Sequence, residues 1–150
     1  MHNRKISVLI IFIAPVLLFY SCKKEEAIST TPVIKFVSIA PNPAVKYQDT
    51  VKIVIAYTDG DGDLGENSPD VKNLFVTDSR NNVTSQFRIS QLAPSGSNII
   101  IEGNLDIILS PQGFVDDNDA TETATYSIYV VDRAGNKSNT VQTSPLVINQ

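Results

Sequence analysis

The chain has 150 residues, with 12 Lys and Arg against 16 Asp and Glu, a formal net charge of −4, one cysteine, one histidine and no tryptophan. An acidic balance with scattered basic residues excludes a nucleic-acid partner, which requires a basic face. The one histidine is His2 and the one cysteine is Cys22, so the body of the chain lacks the residue types from which nucleophile-and-base sites are usually built. Paired carboxylates would remain for glycoside hydrolysis, but a small tryptophan-free domain lacks aromatic platforms to hold a sugar, and a non-enzymatic protein is expected.

Residues 2 to 5, His-Asn-Arg-Lys, make a short basic start, and Ile6 to Tyr20 are apolar apart from Ser7 and Pro15. This is the pattern of a secretory signal peptide. As a helix the run covers about 22 Å, short of the roughly 30 Å hydrocarbon core, so cleavage is expected over a permanent span. Ser21 directly precedes Cys22, with Leu17 and Leu18 just upstream, and this resembles a bacterial lipobox. The resemblance implies loss of residues 1–21 and a thioether-linked diacylglycerol on Cys22, usually with a third acyl chain on the new amino group. At about 0.8 kcal/mol per buried methylene, two or three chains hold far more firmly than one myristoyl chain. A lone secreted cysteine has no internal disulfide partner, so acylation also accounts for the only thiol.

Lys23, Lys24, Glu25 and Glu26 follow. They solvate a tether. Lysine followed by two acids behind an acylated cysteine also resembles the export signal of Bacteroidetes-type surface lipoproteins, which implies display on the outer face of the outer membrane. Attachment facing the periplasm is the alternative. Ala27 to Pro32 has neither a helical nor a strand period, so residues 22–32 form the acylated cysteine and tether and 33–150 the folded domain.

Strand-like runs parted by turn residues then continue to the end of the chain: 33–40, 50–57, 72–78, 85–90, 98–109, 123–132 and 140–148. In the second, Val51, Ile53, Ile55 and Tyr57 share one face at a period of two. No helical pattern survives for three turns. The rhythm predicts an all-β fold, a single antiparallel immunoglobulin-like β-sandwich of about seven strands. Gly103 marks a bulge or a hairpin. The stretch Thr125 to Val141, TYSIYVVDRAGNKSNTV, resembles the last two strands and their loop in fibronectin type III-like and bacterial immunoglobulin-like modules. Tyr126 is then either a tyrosine corner or an ordinary core aromatic.

Between the second and third runs, Thr58 to Asp70 holds five acids and no base. Carboxylates at alternate positions repel one another, and the intervening glycines let the chain curl so that they converge. Calcium takes six to eight hard oxygens at about 2.3 to 2.6 Å. The spacing of Asp59, Asp61 and Asp63, with Asp70 eleven residues after Asp59, resembles an EF-hand loop, but Leu64 stands where that loop turns on glycine and no helices flank it. An EF-hand is excluded, and a calcium loop between strands or a solvated acidic turn remains. In an immunoglobulin-like fold the last inter-strand loop lies at the same end, so Asp132 and Asn136 are expected to contribute oxygens. Asp116, Asp117 and Asp119 belong at the opposite end.

These readings combine into a lipid-anchored outer-membrane or cell-surface module, non-enzymatic, binding an unknown protein or polysaccharide, with Asp59, Asp61, Asp63 and Asp132 as calcium ligands. The alternative is a structural or accessory subunit of an envelope transport or secretion complex.

Overall fold

A computed structural model describes residues 29–150; Cys22 and the charges Lys23 to Glu26 lie outside the described residues. The fold is all-β, and no helix occurs among the described residues. Ten strands form: β1 (Val33–Ala40), β2 (Ala44–Val45), β3 (Val51–Asp59), β4 (Leu74–Asp78), β5 (Thr84–Phe87), β6 (Ile101–Leu109), β7 (Thr121–Ala124), β8 (Tyr126–Val130), β9 (Val141–Gln142) and β10 (Leu146–Asn149). They pair in three sheets ordered β1-β3-β6, β2-β10-β7 and β5-β4-β8-β9. Every pairing is antiparallel except β2 with β10.

Each of the seven runs contains a strand, and the higher count has local causes. The sixth run divides at Thr125, where the chain leaves β10 for β4: Thr125 donates its N–H to the Ser79 hydroxyl and Tyr126 donates to the Thr143 hydroxyl. The seventh divides before Pro145, which has no N–H to give a ladder. β2 is only two residues long, too short to show a period.

Gly103 is neither bulge nor hairpin. It stays in register opposite Tyr57, and a Cβ there would lie 3.0 Å from the Tyr57 hydroxyl, so glycine makes room for the ring. The register shift falls instead between Phe36 and Ser38 of β1. Tyr126 is a buried core aromatic whose hydroxyl donates to Gln112 Oε1 at 3.2 Å, and burial pushes its pKa up to about 12.

One apolar cluster draws on all three sheets, with Ile53 and Ile55 from β3, Val76 from β4, Ile128 and Val130 from β8, and Leu146 and Ile148 from β10. Alternation sends every second residue of β3 and β8 into it. Both alternations run on into an aspartate: Val51, Ile53 and Ile55 are followed two steps later by buried Asp59, and Tyr126, Ile128 and Val130 by buried Asp132.

Candidate metal centre

Asp59 and Asp132 reach the same end of the domain because β3 and β8 end there. The β3–β4 loop brings Asp63 to them, and one carboxylate oxygen from each of Asp59, Asp63 and Asp132 lies within 4.8 Å of the others. The loop is held in place by Leu64, fully buried in the core, whose N–H donates to Asp59 Oδ2 at 2.8 Å. Gly62 and Gly65 carry positive φ, 74° and 92°. A Cβ on Gly62 would meet the Ile99 carbonyl and one on Gly65 the Ser90 carbonyl, so glycine is required for conformation and for close approach.

Partners for these carboxylates are backbone and amide N–H groups. Asp63 Oδ2 accepts the Ala134 N–H at 3.0 Å; Asp132 Oδ1 and Oδ2 accept from Asn136 N and Nδ2 at 2.7 and 2.9 Å. Asp59 Oδ1, Asp61 Oδ1 and Asp63 Oδ1 are buried and accept no hydrogen bond. No Lys or Arg forms an ion pair with any of the four among the described residues. Arg133 is close, but its Nη1 and Nη2 donate to the carbonyls of Gly65 and Gly62, at 2.8 and 3.3 Å. It fastens the loop.

Burial raises the pKa of Asp59 above the usual carboxylate value, and the charges of Asp61, Asp63 and Asp132 add to the rise against the Leu64 N–H. Asp63 is raised in the same way, by burial and then by Asp132 and Asp61, against the Ala134 N–H and the Arg133 charge. Two like charges about 4 Å apart repel by about 4 kcal/mol at an effective dielectric constant near 20. Hydrogen bonds to charged groups return only about 1.5–3 kcal/mol each. The cluster is therefore costly when ionised and uncompensated.

The opposite end supplies an internal contrast. Asp78 closes the inward face of β4, and it too is buried, but Arg80 meets it with Nη2 2.7 Å from Oδ2 and reaches Glu122 Oε2 through Nη1 at 2.8 Å. There the inward acids have a protein cation. At the Asp59 end no ion pair forms among the described residues, and Arg133 acts on Asp63 only through its charge at a distance.

Of the residues expected to converge, Asp59, Asp63 and Asp132 form the close set. Asp61 stands outside it while contributing a buried, unpartnered oxygen. Asn136 meets Asp132 as a donor and so braces the carboxylate. Asp70 is exposed and outside the set. Asp116, Asp117 and Asp119 follow β6 at the far end: Asp117 pairs with Lys46 at 2.7 Å, and Asp116 Oδ1 accepts from Asn118 N and Nδ2. The Arg80 cluster escaped the sequence reading because Arg80 sits in the turn after β4 and Glu122 is 42 residues from it. Only the inward position of Asp78 on β4 could have pointed to it.

Comparison of the chain with models of protein families, with curated proteins and with solved structures gives no match.

Proposed function

We propose that this chain is a lipid-anchored, non-enzymatic binding module of the outer-membrane or cell surface, an immunoglobulin-like β-sandwich with one end clamped by calcium. The observation that carries the cation is the set of three buried carboxylate oxygens, on Asp59, Asp61 and Asp63, that no protein donor satisfies. Buried polar groups of a native fold find partners, and buried charges are paired or ligate metals. An all-oxygen set suits a hard cation. Its irregular origin, from the end of β3, the β3–β4 loop and the turn after β8, suits the flexible coordination of calcium better than the octahedron magnesium demands. Bound there, a cation would tie the β3–β4 loop to the turn after β8.

The sandwich reading draws support from the sheet orders β1-β3-β6 and β5-β4-β8-β9 about a shared core, which match two facing sheets of an immunoglobulin-like domain. No helix among the described residues is long and apolar enough to cross a membrane. The anchor reading rests on Ser21-Cys22 behind the apolar run.

Two measurements test this function. Titration of chelator-treated protein with calcium is expected to give saturable binding that Asp59→Asn abolishes; absence of binding removes the cation. Cys22→Ala is expected to leave the detergent phase for the aqueous phase and to lose labelling by a palmitate analogue. A variant that still partitions with detergent removes the lipid anchor.

A further inference from the structure

We propose that the acidic end of the domain is the end that faces the lipid surface, and that the cation held there stiffens the joint between tether and domain. This deepens the function proposed above and rests on both its anchor and its cation.

The chain enters the fold beside the acidic loop. Gly60, between Asp59 and Asp61, donates its N–H to the Ser29 carbonyl at 3.0 Å, and the Ser29 hydroxyl accepts the Thr31 N–H at 3.1 Å. Pro32 is fully buried. Val33 then pairs with Thr58, and Asn139 brackets Ile34, accepting its N–H and donating to its carbonyl, both at 2.9 Å. From Cys22 to Ser29 seven residues of chain can reach at most about 25 Å. β3 runs nine residues from Asp59 to Val51, about 27 Å at strand rise. The Arg80 end, with its cleft of about 540 Å³ lined by Asp78, Arg80, Gln112 and Tyr126, is thus one strand length farther from the anchor.

The same backbone unit that holds Ser29 lies between two of the crowded carboxylates. With a cation in place the loop is drawn together and Gly60 is fixed. Without it, repulsion between Asp59, Asp61 and Asp63 loosens the loop and the docking of Ser29 with it.

The chain has no tryptophan, so a single introduced one reports its own position. Val71 and Val115 are exposed, 42% and 54%, one in the segment leading from the acidic loop into β4 and one in the far β6–β7 loop. Acylated full-length Val71→Trp and Val115→Trp would be reconstituted in phosphatidylcholine vesicles carrying dansyl headgroups, and energy transfer measured with calcium and with chelator. Transfer is expected to be several-fold stronger from position 71 in calcium, and the difference to shrink in chelator. Equal transfer from the two positions in calcium, a reversed order, or a difference that chelator leaves unchanged would overturn the proposal. Protein that fails to float with the vesicles sinks the anchor itself, and a chain that floats but gives no calcium titration sinks the cation, so the three failures are distinct.

Discussion

Asp59 and Asp132 close the inward faces of two strands in different sheets, and their carboxylate oxygens meet within 4.8 Å at one end of the domain. Apolar alternation delivers both to the core margin, where a carboxylate has to be satisfied or neutralised. Asp59 spends one oxygen on the Leu64 N–H, and its other oxygen is buried without a hydrogen-bond partner.

Asp59→Asn separates the loop-shaping role of this side chain from its charge. The amide oxygen can still accept the Leu64 N–H, while one of the crowded charges disappears. In chelator the variant is expected to melt a few degrees above wild type, a gain of about 1 kcal/mol, and in calcium to show no further rise. Thermal melting in the two buffers reads both. A variant that melts well below wild type in chelator would mean that the carboxylate charge is needed for folding alone.

The pH dependence of the cation-free protein follows from the raised pKa values of Asp59 and Asp63. Unfolded, both titrate near 3.8; folded, they hold protons to higher pH, so in that window the folded state binds more protons than the unfolded one. Their contribution to stability is full below about 3.8 and is lost as pH rises through the folded values. With calcium the sign reverses, because protons compete for ligands that must be ionised. The quantity to measure is the melting difference between wild type and Asp59→Asn/Asp63→Asn across mildly acidic to neutral pH. In chelator, wild type is expected to lose ground to the variant as pH rises; in calcium it is expected to gain.

Arg80→Met tests the other end. It leaves the largely buried Asp78 and Glu122 without their counter-charge, and loss of one partner from such a buried set costs about 3–5 kcal/mol. Denaturant unfolding is expected to show a loss of that order. The calcium-induced shift of the variant is expected to match wild type, since the two acidic clusters lie at opposite ends of β3 and β8.

Much of the fold was legible because alternation and turn residues are local signals, and Val51, Ile53 and Ile55 announce a core-facing strand without any knowledge of its partner. Sheet membership was not. Nothing local tells that the chain changes sheets at Thr125, because the cause is a pair of hydroxyl contacts to Ser79 and Thr143, 46 and 17 residues away. The acidic loop stood out by composition, and the expectation that Asp132 would join it came from topology. What the spacing of Asp59, Asp61 and Asp63 could not reveal was which oxygens would be spent on the loop's own N–H groups. Nor could residue type tell that Asn136 would turn its amide nitrogen to Asp132.

The most direct measurement is a thermal scan of the wild-type chain with calcium and with chelator. A ligand bound only by the folded state adds RT ln(1 + [L]/Kd), about 2.7 kcal/mol at one hundred times Kd, which for a domain of this size is a shift of several degrees. Asp61→Asn/Asp63→Asn is expected to abolish the shift, and Asp116→Asn/Asp117→Asn, at the far end, to leave it nearly whole. Identical melting of wild type in calcium and in chelator would contradict the cation clamp and leave the acidic end a strained turn of the fold.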